Sequence, residues 1–324
     1  MVKIDLITGF LGAGKTTFIR KYAKYLMDNG HNIGILENDF GAVNVDMMLL
    51  QDLMGEKCEL EMVAGGCDYD CHVRRFKTKL ISMAMCGYDR VIVEPSGIYD
   101  VDEFFDVLHE EPLDNWYEIG NVITIADAKL DCNMSKQAQY LLASQLANAG
   151  SVILSRSDSA TSSEIKNTID YMNTSLKEVN CKRVLELDKD IICKDWDKLT
   201  DKDYQQILNC GYTMQNYTKL FMQDDEGFQS EYFMNVKITK DKLCVAVKNI
   251  MADESCGKVF RIKGFVNLQD SNNLEKEYAI LEKTKIDDFD KINVKLNTID
   301  FKIAKSDDKN CYIAYNLKKE KGKV

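Results

Sequence analysis

Gly9-Phe10-Leu11-Gly12-Ala13-Gly14-Lys15-Thr16-Thr17 is the stretch on which the fold turns. Gly9, Gly14, Lys15 and Thr16 satisfy Gly-x-x-x-x-Gly-Lys-Ser/Thr, the pattern of a phosphate-binding loop, and Gly12 adds a further glycine. The bare pattern arises by chance in roughly one chain in a hundred of this length. Its flanks make chance a poor explanation. Lys3-Ile4-Asp5-Leu6-Ile7 is an apolar-rich run of strand length, and Thr16 to Met27 reads as a helix. The glycines let the backbone curl, so that the amides from Gly12, Ala13 and Gly14 through Lys15, Thr16 and Thr17 point inward at phosphates. The new helix turns its positive end to the same anion. Lys15 is expected to reach the β- and γ-phosphates, and Thr16 to ligate Mg²⁺.

Outward from this loop, strand-length apolar runs alternate with helical stretches. Candidate strands are Ile4–Thr8, Asn32–Leu36, Arg90–Val93, Asn121–Ile125 and Ser151–Leu154. Candidate helices lie near Lys15–Asp28, Val73–Met85, Asp102–Leu108 and Gln137–Ala149. The alternation predicts an α/β fold: a P-loop NTPase whose mainly parallel sheet is flanked by helices. Beyond about Tyr217 the rhythm changes. Ser230–Ile238 and Lys258–Val266 read as strands around a helix at Asp241–Met251, and Tyr278–Leu281, Thr298–Ala304 and Cys311–Tyr315 follow as short strands. The expected division is residues 1–217 for the nucleotide domain and 218–324 for a smaller α+β domain. The charged end, Lys318 to Lys323, reads as a solvated tail.

Composition narrows the class. The 324 residues carry a net charge of −10, which argues against a general nucleic-acid binder. No apolar run is long enough to span a membrane, and Met1-Val2-Lys3-Ile4-Asp5 leads straight into the first strand, so a cytoplasmic location is expected. Eleven cysteines, an odd count, read as reduced thiols rather than a disulfide frame.

Several further segments stand in an order that resembles the CobW-like GTPases, P-loop proteins related to the GTPases that insert nickel into urease and hydrogenase. Asn38-Asp39-Phe40-Gly41, with Asp46 beyond it, is similar to the family's first switch segment. Asp39 stands where glutamate is usual and keeps a carboxylate for Mg²⁺. Read alone, the same residues make a polar turn. Glu94-Pro95-Ser96-Gly97 resembles the second acidic motif: Glu94 would hold or position a water, and the Gly97 N–H would sense the γ-phosphate. Ser155-Arg156-Ser157-Asp158 occupies the place of the base-reading Asn-Lys-x-Asp. Asp158 keeps the carboxylate that accepts from guanine, Arg156 can lie over the base, and Ser155 has lost the amide. A polar turn with Asp158 as a helix cap is the competing reading.

The resemblance also implies a transition-metal site. Where relatives carry Gly-Cys-x-Cys-Cys, this chain has Gly65-Gly66-Cys67-Asp68-Tyr69-Asp70-Cys71-His72. Cys67 and Cys71, four residues apart, would share a helix face, and Asp70 and His72 would complete a mixed set suited to Zn²⁺ or Co²⁺. In the alternative reading the motif has decayed and both cysteines are structural. Lys258 to Val266 is similar to the family's Arg-x-Lys-Gly-Phe strand and locates the C-terminal domain. The implied function is a GTP-hydrolysing metallochaperone or maturation factor, with a client metalloprotein or a corrinoid protein as partner. A metal-independent, NTP-driven conformational partner and a nucleotide-dependent binding module are the alternatives.

Overall fold

A computed structural model of the chain describes residues 1–39, 46–64, 69–219, 228–233, 240–253, 259–268, 277–283 and 315–320. The chain divides into two compact units, Met1–Met222 and Gln223–Val324.

The first unit is built on strands β1 (Val2–Thr8), β2 (Ile33–Asp39), β3 (Cys58–Ala64), β4 (Arg90–Pro95), β5 (Tyr117–Asp127), β6 (Ser151–Ser155) and β7 (Ile191–Ile192). They form one seven-stranded sheet in the order β3-β2-β4-β1-β5-β6-β7, and every neighbouring pair is parallel. Helices α1 (Lys15–Asp28), α2 (Asp46–Leu50), α3 (Tyr69–Ala84), α4 (Val101–Leu108), α5 (Leu113–Trp116), α6 (Lys136–Ala147), α7 (Ser162–Glu178) and α8 (Asp201–Leu208) connect or follow them. The α/β architecture expected from the alternating pattern is the one observed.

Alternation along the strands supplies a core on each sheet face. Ile4, Leu6, Leu36, Val91 and Val93 pack with Phe76, Leu80 and Phe104 of α3 and α4. Ile7, Ile35, Ile92, Ile123 and Ile153 pack with Phe18, Ile19 and Tyr22 of α1. Each such fully buried side chain contributes about 1.5–3 kcal/mol.

The strand order reverses beside β1. The chain leaves β1 for β2 on one side and later crosses from β4 to β5 on the other. That reversal opens a crevice at the carboxyl ends of the strands, where α/β sheets bind ligands. The P-loop leaves β1 into this crevice.

Two strands, β3 and β7, and four helices, α2, α5, α7 and α8, were not anticipated. β3 is an edge strand whose Glu59 and Glu61 alternate with buried Cys58 and Leu60. β7 is too short to leave a pattern. α7 opens with a capping box between Thr161 and Glu164, and α8 with another between Thr200 and Asp203.

In the second unit, β8 (Phe228–Phe233), β9 (Val259–Leu268), β10 (Glu277–Lys283) and β11 (Tyr315–Glu320) form a four-stranded sheet in the order β10-β9-β11-β8, accompanied by helix α9 (Lys240–Ala252). All three pairings are antiparallel. Of the charged stretch expected to be a solvated tail, Lys318 to Glu320 belong to β11, where Lys318 pairs with Ser230 and with Arg261, and residues 321–323 lie outside the described residues. A strand flanked on both edges satisfies its backbone whatever its side chains carry. The strand expected at 298–304 and residues 311–314 lie outside the described residues.

Candidate nucleotide site

The P-loop has the backbone that its glycines permit. Gly9, Gly12 and Gly14 have φ values of 144°, 73° and 100°. At Gly9 a Cβ would stand 2.2 Å from the carbonyl oxygen of Ile125, so the loop threads against β5 where no side chain fits. Gly14 is the left-handed residue from which α1 departs.

Lys15 is buried, and its Nζ donates to the Gly9 carbonyl at 3.0 Å across the mouth of the loop. Thr16, also buried, donates through Oγ1 to Glu94 Oε1 at 2.8 Å. Residues 78 positions apart thus meet at the start of α1. Glu94 ends the apolar part of β4, and its neighbour in register on β2 is Glu37. Both carboxylates follow a residue packed towards α1, Ile35 and Ile92 respectively, and by the two-residue period of a strand they share that face. Glu37 is 2% and Glu94 4% exposed. Sequence reading passed over Glu37, although an acid closing an apolar strand before Asn38 was a visible signal.

Gly97 lies directly on the P-loop. A Cβ there would come within 2.7 Å of the Leu11 nitrogen and 2.9 Å of its Cα. The segment Glu94-Pro95-Ser96-Gly97 therefore touches the phosphate loop at both its ends. Asp39 is the last residue of β2, opposite Ala64 of β3, at the same edge of the sheet. Phe40 and Gly41 lie outside the described residues.

On the other side of the P-loop lies Arg156, expected from sequence to lie over a base. It takes φ 55°, in the left-handed region. Its Nη1 donates to Asp127 Oδ2 at 2.6 Å and its Nη2 to the Gly12 carbonyl at 3.1 Å. The guanidinium fork ties the end of β5 to the phosphate loop. Asp127, given no role from sequence, is buried and supplies the carboxylate. Asp158 is exposed beyond β6. Ser155 is buried and its Oγ has no hydrogen-bond partner among the described residues. Trp196 fills the space beside it. Its indole Nε1 donates to the Leu154 carbonyl at 3.0 Å, its ring meets Phe18 edge-on, and its Cη2 is 3.2 Å from where a Cβ on Gly14 would lie.

The predicted transition-metal residues are only partly gathered. Gly65 to Asp68, including Cys67, lie outside the described residues. Asp70, Cys71 and His72 form the first turn of α3. Asp70 is exposed, Cys71 half-buried and His72 2% exposed. At about 100° per residue, Asp70 and His72 point to opposite sides of the helix. The two thus leave α3 on different sides, and Cys67, the remaining member of the expected set, is not among the described residues. Among the described residues no group of three or more His, Cys, Asp or Glu forms a metal cluster.

A parallel sheet with a P-loop leaving its central strand, and an acidic residue of the next strand bonded to the loop's threonine, defines a P-loop nucleotide-binding protein. The CobW/HypB/UreG nucleotide-binding domain matches residues 3–185, and the chain belongs to that family. It is similar to zinc chaperone YeiR of Escherichia coli, 29% identical over 162 residues, covering 50% of this chain and 48% of YeiR. Zinc chaperone YjiA of the same organism is 29% identical over 175 residues, covering 50% and 52%. Zinc-regulated GTPase metalloprotein activator 1 of Schizosaccharomyces pombe is 25% identical over 187 residues, covering 56% and 44%. The chain thus matches about half the length of these relatives. Among solved structures, Zn(II)-bound YjiA GTPase from E. coli aligns over 98% of this chain and 93% of its own, at 17% identity and a TM-score of 0.36.

Proposed function

We propose that the chain is a GTP-hydrolysing metallochaperone or metalloenzyme maturation factor, whose nucleotide state governs its hold on a metal cargo or a client metalloprotein. The observation that carries this reading is the Thr16–Glu94 hydrogen bond at the start of α1, with Glu37 buried beside it. Thr16, Glu94 and Glu37 bring hydroxyl and carboxylate oxygens together on one face of the sheet. The donors are all oxygens, which suits Mg²⁺. Thr16, Glu94 and Glu37 would hold it, with Asp39 at the neighbouring strand end. Bound there, Mg²⁺ supplies charge neutralisation on the terminal phosphates.

The remaining roles belong to the chain itself. Lys15 would exchange the Gly9 carbonyl for a phosphate oxygen, and the amides of Gly12 to Thr17 would cradle the rest. Gly97 would present its N–H to the γ-phosphate. Asp158 would accept from the guanine edge, while the Arg156–Asp127 pair holds Gly12 in place. In this proposal residues 1–217 hydrolyse the nucleotide and residues 218–324 face the client. Zn²⁺ as cargo is supported by the names of the relatives, with Cys67, Cys71 and His72 as its donors; Co²⁺ suits the same donors.

A second reading keeps the NTPase without the metal, as a conformational partner of, for example, a corrinoid enzyme. The divergence of Asp70 and His72 favours it, and the missing amide at Ser155 favours relaxed base selectivity. One experiment separates the two. Metal content of reductively purified chain is measured with and without GTP and Mg²⁺, for wild type and for Cys67→Ser with Cys71→Ser. Stoichiometric zinc that the substitutions remove supports the first reading; a metal-free wild type under both conditions sinks it. Thr16→Ala is expected to lower GTP hydrolysis about a hundredfold under either reading.

A further inference from the structure

Gln145 lies on α6, 48 positions from Gly97, and is 0% exposed. Its Nε2 donates to two carbonyls of the switch segment, Gly97 O at 3.2 Å and Tyr99 O at 3.4 Å. Two acceptors on one side fix which amide atom is nitrogen. Its own backbone carbonyl is held by Thr124 Oγ1 at 2.6 Å, so the residue is anchored to β5 from behind. Its Oε1 is buried and has no hydrogen bond among the described residues. A primary amide here has its donor fully used and its acceptor idle, which costs free energy in a dry interior.

We infer that Gln145 is a positioning residue for triphosphate sensing, which holds the Gly97–Tyr99 backbone in one arrangement and offers its spare oxygen to an N–H of the same segment in another. Donation to the Gly97 and Tyr99 carbonyls stabilises the arrangement described here. A turn of the side-chain amide about its last torsion exchanges donor for acceptor, so a peptide rotation that moves a carbonyl of this segment away and turns an N–H inward is met by Oε1 in place of Nε2. The segment therefore has two supported states rather than one state and a disordered alternative, and bound phosphate selects between them. Gly97 touches the P-loop directly, so a rotation of its peptide is felt at the phosphates. The inference rests on the reading of Glu94 to Gly97 as the segment that senses the γ-phosphate.

The test compares full-length wild type with Gln145→Met, which keeps the length of the side chain and removes both hydrogen-bonding groups. Fluorescent GDP and a slowly hydrolysed GTP analogue are titrated in Mg²⁺, and single-turnover hydrolysis is followed. The variant is expected to keep its GDP affinity within about twofold while losing about fivefold or more of the discrimination between the two nucleotides. Its kcat should fall about tenfold at nearly constant KM. A purely structural role would move both affinities together. A variant with wild-type discrimination and rate overturns the inference alone. A wild type that binds neither nucleotide overturns the functional reading and this inference with it. If Gln145→Met does not fold, hydrogen exchange of the wild-type amides 96–100 decides: protection that differs between the two nucleotides supports the inference, and identical protection overturns it.

Discussion

Gly97 and Gly87 show how differently two glycines are required. At Gly97 the obstacle is backbone: a Cβ would stand 2.7 Å from the Leu11 nitrogen, so the P-loop itself must move. At Gly87 the φ of 77° is strained for other residues, but nothing lies within 4 Å of a Cβ. Gly97→Ala is therefore expected to weaken nucleotide binding about tenfold and to cost about 1–3 kcal/mol of stability. Gly87→Ala should cost about 1–2 kcal/mol and leave binding unchanged. Nucleotide titration beside urea unfolding checks both, and equal binding by the two variants would refute the role given to the Gly97 contact. The motif itself was legible, because Glu94, Gly97, Lys15 and Thr16 belong to short contiguous patterns. Gln145, Glu37 and the Arg156–Asp127 pair were not. Their roles come from register and from contacts between residues far apart in sequence: 29 positions separate Arg156 from Asp127, and 48 separate Gln145 from Gly97.

Among the elements, the pairing of β1 with β5 carries a register shift between Ile4 and Leu6. Asp5 sits at that irregularity and binds it together. Its carboxylate accepts from the Asn121 backbone N–H at 2.8 Å, from Asn121 Nδ2 at 3.1 Å, from Tyr22 OH at 2.8 Å and from Arg90 Nη1 at 2.5 Å. Asp5 is 0% and Arg90 5% exposed. Removing one partner strands the other's charge in the core. Asp5→Ala is expected to cost about 3–5 kcal/mol in denaturant unfolding. Deleting the exposed Lys189–Glu186 pair should leave the unfolding midpoint nearly unchanged. A small effect at Asp5 would mean that the buried network is not what fixes the β1–β5 register. The bulge was invisible in sequence, since Lys3-Ile4-Asp5-Leu6-Ile7 reads as an ordinary strand with one polar residue. α7 was a different kind of omission. Thr161-x-x-Glu164 followed by Ile165, Ile169, Met172 and Leu176 is a helical signature, present in the chain and passed over.

At the scale of the molecule, thiols and phenols buried among the described residues make stability depend on pH in the alkaline range. Burial pushes the Cys58 thiol up to about 11, and burial with the nearby Asp5 charge pushes Cys210 up to about 12, from an ordinary value of 9.0. Burial likewise raises the phenols of Tyr22, Tyr88 and Tyr117. For groups whose folded pKa exceeds the unfolded one, the folded state binds the proton more tightly. Their contribution is complete below the unfolded value and is lost as pH rises through the folded values. The urea midpoint is thus expected to fall from pH 9 towards 11 and 12, and Cys210→Ala should blunt the fall. A midpoint flat across that range would contradict these environments. At neutral pH the same two thiols stay protonated and slow to alkylate.

The indole of Trp196 has one further consequence. The chain contains only two tryptophans, Trp116 and Trp196. One of them leans on Gly14, the residue from which the phosphate-binding helix departs. Phosphate in the loop is expected to alter the electric field and packing around that ring, whereas Trp116 stands on α5, outside the P-loop. The protein thus carries its own optical probe of occupancy, readable in ultraviolet emission without a dye.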